Sequence, residues 1–375
     1  MKLLFVTEYF PTSKDGEITG GVEARCFYMT KELSKKHDIK VVCSWRKGLP
    51  RKQRIGSVLV ERVGVNHEYS NKGGFISRLR FSIAAYKAVC KSEGYDVVDG
   101  FAFSSYLPAY YGAQKIGAKA ICTYHETWIG DWVKNKGLMT GIVGEILERM
   151  SAYKNWDLII PVSNFTKKEL VKRRIKRPME VVYNGVILDD FKNLKVAKAK
   201  EFRIVCVSRL VKTKRQETLL NAVKHLNDKS IRTVLVGSGD DEKYFRQKVI
   251  EMDLSKQVRM TGFLKTKEEV IAEIKAASVL VHPSAVEGFG ITVVEGMAAG
   301  LPVVVSDIPP LREVVGEGKY GMVFKLDDYK ELAKCIKTLK ENKKKYLEMI
   351  KLSEKRAKDF EWKNVCKKYV KVISF

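Results

Sequence analysis

Two glutamates in the stretch HPSAVEGFGITVVE (282–295) stand where a predicted strand gives way to a helix. Glu287 opens the connecting loop, and Glu295 lies in the first turns of the helix. The loop and the helix start also contain Gly288, Phe289, Gly290 and Ile291. Glycines allow a ligand to approach the backbone closely, and the amides of a helix start bind anions. The stretch therefore predicts a diphosphate site flanked by two carboxylates that can accept hydrogen bonds from hydroxyls such as those of a sugar.

The same stretch has a simpler interpretation, in which Glu295 is an ordinary helix carboxylate and the glycines only make a turn. A carboxylate beside a phosphate site is costly unless cations compensate its charge, and the motif SRLVKTK (208–214) supplies two. Arg209 and Lys214 lie five residues apart in a predicted strand-to-helix loop. Arginine offers phosphate oxygens a planar fork, and lysine offers a compact charge. A solvated basic loop is the alternative for this pair.

The first half of the chain contributes weaker signals. Gly20 and Gly21 follow the first predicted strand and open a helix, so they again place amides at a helix start. His125 follows the predicted strand KAICTY (119–124), at the strand end where ligands bind in α/β sheets. A glycine pair and a lone histidine are also common as purely structural features, and the sequence leaves both interpretations open.

Several catalytic motifs are absent from the sequence. It contains no GxxxxGK[ST], HExxH or GxSxG motif, and no DxD pair for a divalent cation. P-loop hydrolysis and zinc proteolysis therefore lose their main support.

Composition and charge limit the possible classes of protein. The chain has 375 residues, 45% hydrophobic and 30% charged, which is a globular balance. Its seven cysteines are scattered without a CxxC pair, and no segment approaches the roughly 18 apolar residues of a membrane span. We therefore expect a cytoplasmic protein with reduced thiols. The net charge of +25 calls for anionic partners, among which nucleic acid, anionic lipid and phosphorylated small molecules are the candidates.

The elements that position these residues follow an alternating pattern. Short β-branched runs alternate with helix-length amphipathic stretches between residues 3 and 163, and the pattern restarts at residue 202. Runs that are apolar on both faces indicate parallel strands covered on both sides. The sequence thus predicts an α/β protein of two doubly wound, Rossmann-like domains that face each other across a cleft. A turn signal at Asn184-Gly185 places the domains at residues 1–185 and 186–359.

Together the motifs resemble the family-4 retaining glycosyltransferases (glycosyl transferases group 1), which have the GT-B fold. The resemblance is strongest at EGFGITVVE (287–295), which has the family's E-x7-E spacing, and at AAGLPVVVSD (298–307). Shorter matches are GGVE (20–23), HE (125–126), PVSNFTKKEL (161–170), YNGV (183–186), SRLVKTK (208–214), VGSGDDE (236–242) and TGFL (261–264). The resemblance also implies that the last helix, within residues 360–375, returns to the first domain.

The resemblance implies roles for the candidate residues. Glu287 would contact hydroxyls of the donor sugar, and Glu295 the ribose of the nucleotide. Arg209 and Lys214 would neutralise the leaving diphosphate, and His125 would lie near the reacting carbon. The backbone amides that complete the diphosphate site would be those of Gly20, Gly21, Phe289 and Gly290. A UDP- or GDP-linked sugar is then the expected co-substrate, with no metal or other cofactor, and a glycan or a lipid-linked sugar is the expected acceptor.

Three positions depart from the usual sequence of the family. Lys214 is followed by Arg215 where relatives commonly have glycine, and His125 is followed by Glu126 where many have aspartate. The residues after Asp307 read IPPLREVV rather than a form that contains glycine. None of the three removes a charge that the mechanism needs, and they leave the sugar and the acceptor open.

Two basic runs suggest that the enzyme works at an anionic membrane surface. KGGFISRLRFSIAAYKAVCK (72–91) has five basic and no acidic side chains, and KKELVKRRIKR (167–177) has seven basic residues and one glutamate. In the first run an apolar stripe at helical spacing is formed by Phe75, Leu79, Ile83, Tyr86 and Cys90, while Arg80, Lys87 and Lys91 lie on another face. The alternative is that the stripe packs on the first-domain sheet and the basic residues are simply solvated.

The charge also leaves open a different class of function, a nucleic-acid-binding or membrane-surface protein without transferase activity. The aromatic and basic residues do not alternate in the pattern of any recognisable module that binds single strands or RNA. We therefore expect no nucleic-acid partner.

Overall fold

The computed structural model describes residues 1–13, 18, 20–67 and 75–374. The chain divides into two compact units. The first consists of Met1–Asn184 with the C-terminal segment that begins at Trp362, and the second consists of Gly185–Glu361.

The described part of the first unit contains a seven-stranded sheet in the order β3-β4-β2-β1-β5-β6-β7. Its strands are β1 (Lys2–Val6), β2 (Asp38–Ser44), β3 (Lys52–Ile55), β4 (Val58–Val63), β5 (Val97–Gly100), β6 (Lys119–Tyr124) and β7 (Leu158–Pro161). Only the edge strand β3 pairs antiparallel with its neighbour, and the other pairs are parallel. The helices of this unit are α1 (Gly21–Leu33), α2 (Phe75–Cys90), α3 (Phe103–Ile116), α4 (Trp132–Lys136), α5 (Leu138–Ala152) and α6 (Asn164–Lys172).

The second unit contains a parallel six-stranded sheet in the order β10-β9-β8-β11-β12-β13. Its strands are β8 (Phe202–Val207), β9 (Ile231–Val236), β10 (Val258–Met260), β11 (Val279–His282), β12 (Val303–Ser306) and β13 (Met322–Phe324). Its helices are α7 (Leu188–Asn193), α8 (Gln216–Leu226), α9 (Glu242–Glu251), α10 (Lys267–Ala276), α11 (Ile291–Ala298), α12 (Pro309–Val314), α13 (Tyr329–Glu341) and α14 (Lys343–Ala357). Short 3-10 turns span Lys212–Lys214 and Lys358–Phe360.

The central strands are buried on both faces, which is why they lack the polar alternation of half-exposed strands. Every residue of β5, β7, β11 and β12 is buried. Helices cover both sides of such sheets, and each unit has a core cluster of buried aliphatic and aromatic side chains. The prediction of two doubly wound α/β domains is confirmed.

The C-terminal helix α15 (Trp362–Ile373) belongs to the first unit. Tyr369 on α15 donates a hydrogen bond of 2.8 Å to Asp99 Oδ2 at the end of β5, and its ring packs on Phe5 of β1. Trp362 stacks on Tyr28 of α1 with ring centroids 6.3 Å apart. The predicted return of the last helix to the first domain is confirmed.

Removing residues 362–375 is expected to unfold the first unit. The deletion exposes the surface that Trp362, Val365 and Tyr369 cover, and burial of each large side chain is worth about 1.5–3 kcal/mol, against a total stability of roughly 5–15 kcal/mol. Tyr369→Phe, which loses only the hydrogen bond to Asp99, should cost about 1–3 kcal/mol. Thermal unfolding followed by circular dichroism measures both, and a truncated protein with the melting temperature of the full chain would contradict the assignment.

None of the described helices is long and apolar enough to cross a membrane. The residues that the structure describes also contain no group of three or more His, Cys, Asp or Glu side chains placed to hold a metal ion. All seven cysteines are free thiols. Burial raises the pKa of Cys43 and of Cys206 to about 12, so both stay protonated at neutral pH.

Candidate active site

The stretch with the two glutamates forms the end of β11, the following loop and α11. β11 lies beside β8, and these are the central strands between which the strand order reverses, where ligands bind in doubly wound sheets. Lys214, in the loop after β8, donates a hydrogen bond of 2.6 Å from Nζ to Glu287 Oε1. His282, the last residue of β11, places Nε2 2.7 Å from the same oxygen. The second unit thus brings a carboxylate, an ammonium and an imidazole together.

Glu287 is ionised at neutral pH. Burial by itself would raise the pKa of its carboxyl, but the hydrogen bond with His282 and the charge of Lys214 outweigh burial and lower the pKa from 4.5 to about 2. Both contacts use Oε1, while Oε2 has no hydrogen-bond partner among the described residues. Because the side chain keeps 14% of its surface exposed, a ligand hydroxyl can reach that oxygen.

The loop that carries Lys214 is joined to the Glu287 loop through the backbone. The amide of Ala285 donates to the carbonyl of Thr213 over 2.9 Å. Lys214 Nζ also donates to the carbonyl of Val286 over 3.1 Å, so two of its three N–H groups are used and one remains for a ligand. Arg215 follows with φ of 53°, the left-handed conformation that glycine adopts more easily than arginine does. Its guanidinium forms an ion pair of 3.0 Å with Asp327.

Arg209 lies at the start of the same loop and is exposed. Its carbonyl accepts a hydrogen bond of 2.7 Å from Gln216 Nε2, which fixes the backbone. Gly237 permits the close packing of the neighbouring loop, because a Cβ atom there would lie 2.2 Å from the carbonyl oxygen of Ser208. No side chain or backbone group of the described residues pairs with the Arg209 guanidinium, so it is available to an anionic ligand.

The start of α11 lies directly after the Glu287 loop. Gly290 has φ of 104°, which favours glycine, and a Cβ atom there would lie 2.6 Å from Leu311 Cδ2. The Phe289 side chain is buried and packs edge-on against Phe360 at 5.6 Å, which anchors the loop. The amide of Val293 donates to the carbonyl of Gly290 over 3.0 Å, whereas the amides of Ile291 and Thr292 come before the first hydrogen bonds of the helix. They are suited to bind an anion.

Glu295 lies one turn into α11 and is half-buried. Burial raises the pKa of its carboxyl, the charge of Lys267 lowers it, and the charge of Asp190 raises it, with a net shift upward. Lys267 and Asp190 pair with each other at 2.8 Å. The Glu295 carboxylate itself has no hydrogen-bond partner among the described residues, so a hydroxyl group of a ligand would satisfy it.

Glu295→Gln is expected to weaken nucleotide binding by about 1–3 kcal/mol, the scale of a lost hydrogen bond to a charged group. Isothermal titration calorimetry with a nucleoside diphosphate measures the effect. Glu287→Gln is the matched control, since we expect its nucleotide affinity to stay near that of the wild type. An equal loss of affinity in both variants would contradict the separate roles predicted for the two glutamates.

The candidate residues of the first unit lie at helix and strand ends. Gly20 is the N-cap of α1, and Gly21 is the first residue of that helix. His125 directly follows β6, and its Nε2 is buried without a hydrogen-bond partner among the described residues. Burial, with a smaller effect of the Arg25 charge, lowers the pKa of His125 to about 3, so the imidazole is neutral at physiological pH. The roles predicted for these residues stay predictions.

Two features of the structure, one in each unit, were not predicted from the sequence. One is His282 as the partner of Glu287, for which the histidine five residues before the glutamate was the available signal. The other is a charged cluster after β1: Glu8 Oε1 lies 2.8 Å from His67 Nε2 and accepts a 3.0 Å hydrogen bond from Arg78 Nε. Burial opposes ionisation of Glu8, yet these partners lower its pKa to about 2. No sequence spacing connects residues so far apart.

Two family models match the chain. Glycosyltransferase Family 4 matches residues 19–190, and Glycosyl transferases group 1 matches residues 189–356. The chain belongs to the family-4, group 1 glycosyltransferases. The resemblance stated from the motifs is thereby confirmed, and the protein is a glycosyltransferase by family.

This glycosyltransferase is similar to relatives across most of its length. One is an N-acetylgalactosaminyltransferase of Campylobacter jejuni named for a diphospho-undecaprenol acceptor, 25% identical over 79% of this chain and 81% of that protein. Sucrose-phosphate synthase from Thermosynechococcus elongatus is similar in structure, with a TM-score of 0.83, 18% identity, and coverage of 99% of this chain and 98% of that one. HepE of Anabaena in complex with UDP-glucose has a TM-score of 0.74, 19% identity, and coverage of 100% and 99%. The structural similarity confirms the predicted GT-B fold.

Proposed function

We propose that this glycosyltransferase moves a sugar from a nucleoside-diphosphate sugar to an acceptor hydroxyl with retention of the anomeric configuration. The observation that carries the proposal is the triad of Glu287, Lys214 and His282 beside the unpaired Arg209 and the start of α11. One carboxylate oxygen is left for sugar hydroxyls, while an ammonium, a guanidinium and backbone amides are left for phosphate oxygens. This is the set of groups that a sugar diphosphate requires.

In the reaction proposed, the bond between C1 of the sugar and the diphosphate oxygen breaks, and the acceptor oxygen bonds to C1 on the same face. The proton of the acceptor hydroxyl passes to the departing phosphate oxygen, so no protein nucleophile is needed. Arg209 and Lys214 stabilise the negative charge that develops on the leaving group. Preorganised charges of this kind are typically worth about 3–4 kcal/mol for each group removed.

The same two cations support a metal-independent reaction, since they supply the positive charge that a divalent ion would otherwise bring to the diphosphate. We expect activity to persist when the enzyme is assayed with excess EDTA. A loss of activity that magnesium or manganese restores would contradict this part of the proposal.

The donor and the acceptor are proposed from the relatives. HepE binds UDP-glucose and the Campylobacter relative is named for a diphospho-undecaprenol acceptor, which supports a UDP-linked donor, with GDP as the alternative, and a lipid-linked sugar or glycan acceptor. The enzyme would then work in glycan, polysaccharide or glycolipid synthesis, at the cytoplasmic face of the cell membrane.

A panel of nucleotide sugars screened by thermal shift tests the proposal. The cognate nucleotide should raise the melting temperature, and NMR of the product should show the anomeric configuration of the donor. An inverted product, or no stabilisation by any nucleoside diphosphate together with a salt-sensitive gel shift on nucleic acid, would overturn it.

A further inference from the structure

In helix α5 the apolar residues face outward and the small or polar residues face the protein, which is the reverse of an ordinary amphipathic helix of a globular protein. The side that faces the protein is small or polar: a Cβ atom at Gly144 would lie 2.4 Å from the Trp132 ring, and Glu148 is buried. Glu148 accepts hydrogen bonds from Tyr124 Oη over 2.6 Å and from Trp132 Nε1. The apolar residues of α5 are therefore left on its outer side.

The outer side of α5 carries a continuous apolar stripe. Its exposed residues are Leu138, Met139, Ile142, Val143, Ile146 and Met150. Met139 is 84% exposed and Ile146 is 53% exposed. More than half of the exposed large hydrophobic side chains among the described residues lie on α2, α4 and α5 together. Concentrated exposed apolar surface of this kind marks an interaction site.

Helix α2 adds to this surface. It packs on the core through Phe81, Ala85 and Val89, whereas Ile83 and Tyr86 of the predicted apolar stripe are exposed. The alternative in which that stripe packs on the sheet is therefore wrong for the described residues. Residues 72–74 of the first basic run, and the side chain of Phe75, lie outside the described part of the chain.

A cavity of about 130 Å³ joins the two helices. Its walls are mostly apolar and come from α2, α3, α4 and α5, including Leu79, Phe103, Trp132 and Leu147. Three of the lining hydroxyls donate within the protein: that of Ser82 to the carbonyl of Ser104, that of Ser104 to Glu8 and that of Ser151 to the carbonyl of Leu147. An engineered apolar cavity of about 150 Å³ binds benzene, so this cavity can hold a short hydrocarbon segment.

Exposed cations border the apolar surface, and the exposed carboxylate of Asp131 before α4 lies 3.7 Å from Arg173. Arg80 and Lys87 on α2 and Lys134 on α4 are exposed. The acidic residues of α5 are turned to internal partners: Glu145 accepts hydrogen bonds from the amide of Gly130, and Glu148 is buried. The second basic run borders the same region, because Arg173 donates to the carbonyl of Ile129 over 2.7 Å, just before α4.

We propose that the outer stripe of α5 and the exposed apolar residues of α2 insert into the surface of an anionic bilayer, and that the cavity between them takes a hydrocarbon chain from that leaflet. The inference rests on the proposed function insofar as it brings the enzyme to a lipid-linked acceptor. The apolar stripe enters the boundary of the acyl chains while the cations contact anionic headgroups. A second copy of the chain is a poorer occupant, since a two-fold interface would bring the same basic rims together.

Sedimentation with vesicles tests the surface. Wild-type protein should bind vesicles that contain phosphatidylglycerol at low salt, bind less at high salt, and bind weakly to pure phosphatidylcholine. The double variant Ile142→Glu with Ile146→Glu should bind the anionic vesicles at least about tenfold more weakly than the wild type. Ile250→Glu on α9, which is 64% exposed in the wild type, is the matched control and should bind like the wild type. Arg80→Glu and Lys87→Glu should each weaken binding to anionic vesicles by about fivefold or more, and should leave binding to phosphatidylcholine vesicles unchanged.

Quenching of tryptophan fluorescence tests the cavity. Vesicles with brominated acyl chains should quench Trp132, which lines it. The quenching that disappears in Trp132→Phe is the part that comes from Trp132. Leu79→Phe fills the cavity and should lose at least about half of that part. Ile83→Phe lies one turn further along the exposed face of the helix and should keep the quenching of Trp132.

Three results would overturn the proposal: no binding to anionic vesicles at low salt, wild-type binding by the double α5 variant, or a dimer that the same variant converts to a monomer in light scattering. None of these measurements uses a nucleotide. They therefore fail or succeed independently of the thermal-shift test of the proposed function.

Discussion

Replacing Glu287 by glutamine is expected to lower kcat by about 10²- to 10³-fold while nucleotide affinity stays within about twofold, because the role proposed for this group is to contact the sugar and Lys214 rather than the nucleotide. The amide keeps the shape of the side chain but removes the negative charge that holds Lys214 Nζ at 2.6 Å and faces His282. Steady-state kinetics with the cognate donor and calorimetry with the nucleoside diphosphate separate the two effects. A variant that loses nucleotide affinity and keeps kcat would reverse the assignment.

The same substitution has a pH signature. The pKa of Glu287 is lowered from 4.5 to about 2 by folding, so its contribution to stability is present above about pH 4.5 and is lost as the pH falls through 2. The wild type should therefore be more stable than Glu287→Gln at pH 7, by about 3 kcal/mol at most. The gap should close between pH 5 and pH 2, as urea unfolding at a series of pH values would reveal. A gap that widens in acid would show that the carboxyl is not stabilised by its partners.

Replacing Lys214 or Arg209 by alanine is expected to weaken binding of UDP or GDP by about 1.5–3 kcal/mol, with little change for the matching nucleoside, because only the diphosphate carries the charge that we propose these residues bind. Lys214→Ala should also reduce kcat more than Arg209→Ala does, since it leaves the buried Glu287 carboxylate with His282 alone. Calorimetry with nucleoside and nucleoside diphosphate measures the difference between the two ligands.

Lys212 offers a matched control two residues from Lys214. Its ammonium lies 5.2 Å from the centre of the Tyr244 ring instead of at the triad, and the residue is exposed. Lys212→Ala should leave diphosphate affinity unchanged within about twofold. If Lys212→Ala and Lys214→Ala weakened binding equally, the effect would come from the general positive charge of the loop, and Lys214 would have no specific role.

Much of the candidate site could be predicted because its residues are close in sequence. Glu287, Gly290 and Glu295 lie within one loop and one helix, so the spacing alone places a carboxylate on each side of a helix start. The strand ends that carry Arg209 and His125 could also be predicted, since buried parallel strands have a recognisable apolar pattern. The partners from distant segments could not: nothing in the order of residues pairs Lys214 with Glu287, or Glu8 with His67 and Arg78.

The sequence by itself determined the two Rossmann-like units, the family and the motif around the two glutamates, because hydrophobic periodicity and local spacing are properties of contiguous residues. Only the tertiary structure decided which helix faces are buried. The stripe of Leu79, Ile83 and Tyr86 has the spacing of a core face, yet Phe81 and Val89 occupy the core instead. In α5 the core takes Gly144 and Glu148 because Trp132 and Tyr124 fill the space against them. An apolar stripe has the same pattern whether it meets protein or lipid, so only the packing of its neighbours distinguishes the two.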